Sequence, residues 1–176
     1  MTHAAGQPVG EIMSLFEDPR YIWRETYFVV FPRSQRPDHR AARRLLDRLA
    51  RDYQLTQERL DAQGRIESFT LKDPSGSSAM DVCYVTGSDV TEQLEEFARD
   101  LTSAPISETD AQRLKTLQSC DARFEVFHFE RRDLSDSAED DEEEWLDPAA
   151  LFDVLRILRQ ACHGLAIDPQ SGTFVG

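Results

Sequence analysis

The pattern of apolar and polar residues along the chain predicts an alternation of strands and helices. Residues 25–31 (ETYFVVF) are apolar on both faces and rich in β-branched and aromatic side chains, which is typical of a strand buried on both sides near the middle of a sheet. Residues 123–130 (RFEVFHFE) have the same character. Other short apolar segments bounded by turns predict strands at 55–60, 65–71, 79–86, 165–167 and 173–175.

Helices are predicted where apolar residues recur at intervals of three and four. The predicted helices begin at Asp38, Asp89, Ser107 and Asp147. The second start depends on a capping-box pattern, in which Glu92 follows Asp89 by three residues. The fourth combines the capping carboxylate of Asp147 with Pro148 at the first helical position.

The order of these elements predicts an α+β fold. The succession strand, helix, strand, turn, strand occurs at 25–71 and again at 123–175. We therefore expect a mostly antiparallel sheet of about six or seven strands with helices on one face, in which ferredoxin-like βαββ elements occur twice. Residues 1–20 are expected to form a loose N-terminal arm, and residues 21–176 a single domain with an acidic loop at 133–147.

Composition narrows the class of protein. With 176 residues, of which 40% are hydrophobic and 30% charged, the chain has the size and composition of one globular domain. No apolar run approaches the roughly 20 residues that span a bilayer, and residues 1–10 lack the pattern of a secretory signal. The three cysteines form no C-x-x-C pair, so neither a disulfide framework nor a zinc site is expected. The sequence predicts a cytoplasmic protein with no membrane partner, metal or cofactor.

Charge is distributed unevenly along the chain. The formal net charge of -13 disfavours nonspecific binding to nucleic acids or anionic membranes. Seven arginines lie between Arg33 and Arg51, whereas nine acidic residues and no basic residue lie between Asp133 and Asp147. The sequence thus predicts a positive helix and a negative loop.

The positive helix is one candidate for a binding surface. Its arginines on the side opposite the leucines are Arg40, Arg44, Arg48 and Arg51. Guanidinium groups in such a row can bind an acidic protein surface or phosphates, and the alternative is a solvated helix face with local ion pairs. No aromatic residue is interleaved with them, which disfavours single-stranded nucleic acid. The acidic run with Trp145 is a further candidate for contact with a basic partner, and it can instead fold back on the positive helix or bind a divalent cation weakly. The alternative is a flexible, solubilising loop.

A second candidate site would bind a small ligand or a metal ion. Its residues on three predicted strands are His128, Glu130, Asp81 and Glu67, which converge only if those strands are neighbours. The set matches no known motif, and a lone histidine between two phenylalanines is more often a buried structural residue. The sequence therefore predicts no catalytic residue, and a non-enzymatic protein is favoured over an enzyme.

Residues 13–31 (MSLFEDPRYIWRETYFVVF) resemble the opening of an uncharacterised group of conserved bacterial proteins of the planctomycete type. The resemblance implies a bacterial protein and favours Met13 as the natural start. It implies no activity, and it supplies no catalytic residues.

Together these features favour a non-enzymatic cytosolic module for protein binding or regulation, which presents its sheet face or its positive helix to a protein partner. Trp23 and the aromatic residues near the first strand form apolar surface that must be shielded from water. A homodimer through the sheet face is therefore one expected form of this binding. Two alternatives stay open. One is a small-molecule-binding domain or enzyme with a site around His128 and Asp81, and the other is nucleic-acid binding through the positive helix.

Overall fold

The computed structural model describes residues 14–132 and 148–176. Its strands are β1 (Tyr21–Phe31), β2 (Gln54–Leu60), β3 (Ile66–Lys72), β4 (Ser78–Thr86), β5 (Ala122–Arg131), β6 (Leu165–Asp168) and β7 (Thr173–Val175). Its α-helices are α1 (His39–Asp52), α2 (Ser88–Thr102), α3 (Glu108–Leu117) and α4 (Ala149–Cys162). Short 3-10 helices lie on either side of β1, at Leu15–Glu17 and Arg33–Gln35, and we call the first of these the N-terminal turn.

The seven described strands form one antiparallel sheet in the order β2-β3-β4-β5-β1-β6-β7. β1 lies inside the sheet between β5 and β6, and its residues Val29, Val30 and Phe31 are fully buried. The two strands predicted to be apolar on both faces are therefore neighbours near the centre. The α+β class and the antiparallel sheet are confirmed.

The helices cover both faces of the sheet, so the prediction of helices on one face is wrong. α1 and α4 pack on what we call the first face, where they share a core with Val29 and Phe31 of β1. α2 and α3 pack on the second face, where Val90 and Leu94 share a core with Val30. Since successive side chains of a strand point to opposite faces, a strand that is apolar at every position needs cover on both sides.

The ferredoxin-like duplication is not confirmed. The order strand, helix, strand, strand does recur, as β1-α1-β2-β3 and as β5-α4-β6-β7. In the sheet, however, β4 and β5 separate β1 from the β2–β3 hairpin, whereas only β1 separates β5 from the β6–β7 hairpin. The two units therefore share the order of their elements and differ in how their strands are placed.

The predicted N-terminal arm at residues 1–20 lies partly outside the described residues, and the described part packs on the sheet. Leu15 of the N-terminal turn is 3% exposed and lies in a small core with Ala79 and Phe129 on the second face. Residues 14–20 are therefore attached to the domain that follows them.

The helix starts agree only in part with the predicted ones. The side chain of Asp38 caps α1 by accepting a hydrogen bond from the backbone N–H of Ala41, as predicted. α2 begins at Ser88 after Gly87, so the capping box predicted at Asp89 is not formed. The Asp147 cap predicted for α4 lies outside the described residues. Of the helices described, none has the length and apolar composition needed to cross a bilayer.

Candidate functional site

Three ionisable side chains form a hydrogen-bonded cluster on the first face, where β1 pairs with β5. His128 Nδ1 is 3.2 Å from Glu25 Oε1, and the hydroxyl of Tyr27 donates to Glu25 Oε2 across 3.3 Å. His128 and Tyr27 are buried, while Glu25 is partly exposed. The strand register creates the contact, because it places Glu25 directly opposite His128. The glutamate thus joins the histidine to the tyrosine.

Burial dominates the electrostatics of this cluster. Removal from water lowers the pKa of His128, although the hydrogen bond and the charge of Glu25 act in the opposite direction. Burial, and after it the charge of Glu25, raises the pKa of Tyr27 to about 12. At neutral pH the His128 imidazole and the Tyr27 phenol are therefore both neutral. The network links β1 to β5 through side-chain hydrogen bonds in addition to the backbone pairing of these strands.

The structure does not bring together the residues that the sequence suggested as one ligand or metal site, namely His128, Glu130, Asp81 and Glu67. His128 is paired with Met80 and lies on the first face. Asp81 is paired with Phe127 and lies on the second face. Glu130 forms an ion pair with Arg24, and Glu67 is exposed on β3. The sheet itself therefore separates the histidine from the aspartate.

Asp81 holds the N-terminal turn on the second face. It is 7% exposed. Its carboxylate accepts hydrogen bonds from the N–H of Leu15 at 3.0 Å, the hydroxyl of Ser14 at 3.3 Å and the hydroxyl of Thr70 at 2.5 Å. A buried carboxylate is tolerated when it is bonded in this way. These hydrogen bonds give Asp81 a structural role, which is to attach the N-terminal turn to the sheet.

Two members of the observed cluster, Glu25 and Tyr27, were not among the residues predicted from the sequence. The available signal was weak: two polar groups separated by one residue, in a strand that also contains Arg24 and Thr26. That spacing places both on one face of β1. It does not say that His128 lies opposite them, since the partner strand is far away in the chain.

Other features of the described residues offer little reaction chemistry. No group of three His, Cys, Asp or Glu side chains among them is arranged to hold a metal ion. A groove between α2 and α3 encloses about 170 Å³, less than the roughly 300–1,000 Å³ of ordinary ligand pockets. Burial raises the pKa of Cys83 and Cys120 to about 11 and that of Cys162 to about 12, so the thiols stay protonated at neutral pH.

α1 displays a row of exposed arginines, which we call the arginine stripe: Arg40, Arg44, Arg48 and Arg51. Successive members are about one helical turn apart, so the stripe is about 16 Å long at 1.5 Å per residue. The opposite side of α1 is buried in the core through Ala42, Leu45, Leu46 and Leu49. This anchoring fixes the backbone from which the arginines project.

The stripe has few internal partners. Arg43 beside it pairs with Glu58 at 2.8 Å, and Arg48 donates to the side-chain oxygen of Gln160 on α4 at 3.3 Å. No carboxylate in the described part of the chain lies within 4.0 Å of a stripe guanidinium. The other predicted contact residue, Trp145, and the acidic loop predicted at 133–147 lie outside the described residues.

The buried His128 is expected to make the protein less stable as pH falls. Because its folded-state pKa is lowered, the unfolded chain takes up a proton first, near the ordinary value of 6.5. The free energy of unfolding should therefore decrease as pH is lowered from about 7 through the folded pKa of His128. Urea unfolding at several pH values should show a smaller decrease for His128→Asn than for wild type. The exposed His39→Asn is the control, and identical pH slopes for wild type and His128→Asn would contradict the assignment.

Comparisons of this chain with protein-family models, with curated proteins and with solved structures find no match. The resemblance of residues 13–31 to a bacterial group thus stays a prediction, and the arguments for function depend on geometry.

Proposed function

We propose that the protein is a cytoplasmic protein-binding or regulatory module without enzymatic activity, and that the arginine stripe binds an acidic segment of a partner protein. The observation that carries this proposal is the row of exposed guanidinium groups on α1, which no described carboxylate pairs within 4.0 Å. Guanidinium groups bind carboxylates through two parallel hydrogen bonds, so a row of them suits an acidic peptide.

The rigidity of α1 supports a defined contact. The buried leucines of the helix belong to the core of the first face, and Tyr53 at its C-terminal end donates a hydrogen bond to the backbone oxygen of Ala150 at 3.2 Å. A partner then orders only the arginine side chains, which reduces the entropy lost on binding. Complementary charge also increases the rate of association.

An acidic protein fits this surface better than a nucleic acid does. The stripe is a single row of arginines on one helix, and Asp38, Asp47 and Asp52 lie in or beside that helix. Nucleic-acid sites combine a broader positive groove with exposed aromatic rings for stacking. α1 contains no Phe, Tyr or Trp.

The experiment measures binding of a fluorescently labelled peptide rich in Glu and Asp by fluorescence anisotropy. Wild type is expected to bind with an affinity that decreases as salt is added. Arg44→Glu should weaken binding about tenfold, because it reverses a charge in the middle of the stripe. The matched control is Arg99→Glu, which changes an exposed helical arginine of α2 on the second face and should leave binding unchanged.

Two outcomes would reject the proposal. One is an equal loss of peptide affinity in Arg44→Glu and Arg99→Glu, which would show that the peptide is attracted by charge in general and does not bind at the stripe. The other is tighter binding of a single-stranded oligonucleotide of the same charge, again lost in Arg44→Glu, which would identify phosphate as the ligand.

A further inference from the structure

An aromatic cluster on the second face is open to solvent. Phe16 of the N-terminal turn is 56% exposed, and Trp23 of β1 is 43% exposed. The ring of Phe16 packs edge-on against Phe127 and Phe129 of β5, with centroids 5.2 and 4.8 Å apart. Trp23 is opposite Phe129 in the register of β1 with β5. These four residues form what we call the aromatic cluster.

Hydrogen bonds hold both exposed rings in place. The carboxylate of Asp81 accepts from the N–H of Leu15 and so fixes the turn that carries Phe16. Trp23 Nε1 donates to the hydroxyl of Thr26 at 3.1 Å, so the polar atom of the indole already has a partner. The cluster therefore presents an ordered apolar surface, and an ordered surface loses less entropy on association.

The sheet beside the cluster is only partly covered by the described helices. A row of half-buried side chains crosses four neighbouring strands there: Ser68, Cys83, Glu125 and Phe28. Antiparallel sheets commonly pack such a face against a second sheet about 10 Å away. Sheet-on-sheet packing would cover the row together with the exposed aromatic rings.

We propose that this face binds the same face of a second copy of the chain, with Phe16 and Trp23 near the centre of the contact. A two-fold contact needs a surface that is complementary to itself. The charged residues nearby have both signs: Glu17 follows Phe16, while Lys72 and Arg131 lie on the second-face side of β3 and β5. Opposite charges of two copies can then face each other, whereas a surface for a strongly charged partner would carry one sign.

The edges of the described sheet are poor routes to self-association. β2 departs from regular pairing with β3 between Thr56 and Leu60, and Gln57 there has a φ of 54°. β7, at the other edge, has three residues. Bulged and very short edge strands do not template pairing with another sheet. The open second face is therefore the better surface for a second copy.

Sedimentation velocity of the full chain at low and high micromolar concentration tests this proposal. The mass of wild type is expected to rise from 20.1 kDa towards twice that value. Trp23→Lys should weaken self-association at least about tenfold, because it places a charge near the centre of an apolar contact. Phe152→Lys is the matched control, since Phe152 is also 43% exposed but lies on α4, next to Tyr27 of the first face.

Circular dichroism of each variant separates loss of association from loss of fold, and Phe16→Lys provides a second variant on another element. A wild-type chain that stays at 20.1 kDa at high concentration would overturn the proposal. Equal weakening by Trp23→Lys and Phe152→Lys would overturn it too. The acidic-peptide assay keeps the two proposals distinct, because Trp23→Lys should leave peptide binding at the arginine stripe unchanged.

Discussion

Replacing Arg123 with alanine is expected to lower the free energy of unfolding by about 3 kcal/mol, because a buried ion pair that loses one partner leaves the other charge uncompensated. Arg123 Nε donates to Glu125 Oε1 at 3.0 Å, and Nη1 donates to the side-chain oxygen of Gln93 on α2 at 2.5 Å. Its guanidinium also lies 3.9 Å from the centre of the Phe28 ring. The Arg123 side chain is 7% exposed and that of Glu125 is 18% exposed, so water screens the pair only weakly.

Urea unfolding of wild type and Arg123→Ala measures this loss, and Arg24→Ala is the matched control. Arg24 forms an ion pair with Glu130 on the same sheet, but its side chain is 55% exposed. Exposed pairs of this kind contribute about 0–1 kcal/mol. If both variants lost the same free energy of unfolding, burial could not be the reason for the effect at Arg123.

Gly164→Ala is the second substitution with a large expected effect, again a loss of about 3 kcal/mol of unfolding free energy. Gly164 follows α4 and precedes β6. A Cβ atom there would lie 2.4 Å from the backbone oxygen of Val30, 3.2 Å from Phe31 Cβ and 3.3 Å from Cys162 Sγ. Val30 belongs to the central strand, so its carbonyl cannot move without disturbing the pairing of β1 with β6.

Thermal or urea unfolding of Gly164→Ala tests this close contact, with Gly172→Ala as the comparison. A Cβ at residue 172 would meet nothing within 4 Å, but the backbone has a φ of 68°. Gly172→Ala should therefore lower the free energy of unfolding only by the cost of placing an alanine in the left-handed region, about 1–2 kcal/mol. A smaller loss for Gly164→Ala than for Gly172→Ala would contradict the argument from the carbonyl of Val30.

The local elements of the fold could be predicted because they depend on neighbouring residues. Asp38 caps α1, as the local pattern indicated. The order of the strands depends instead on pairs such as Tyr21 with Arg131, which are distant in the chain. The apolar character of both faces of β1 implied helices on two faces, although helices on one face were predicted.

The candidate sites also differ in whether they depend on neighbouring residues or on strands that are distant in the chain. The arginine stripe follows from the helical period alone, so all four of its residues were identified from the sequence. The contact of His128 with Glu25 needs the register of two distant strands. Whether Asp81 and His128 lie on the same face likewise depends on the register of β4 with β5. A shift of that register by one residue would move every side chain of one strand to the other face of the sheet.

The central position of β1 bears on how the chain is made. On the ribosome, β1 emerges before β5 and β6, the two strands between which it finally lies. The β2–β3–β4 meander can form in the meantime, because its strands pair with their neighbours in sequence. Long-range pairing slows folding, and an unpaired apolar strand is prone to aggregate. A nascent chain therefore exposes β1 until β5 and β6 have been synthesised, and we expect chaperones that bind extended apolar segments to recognise it during that interval.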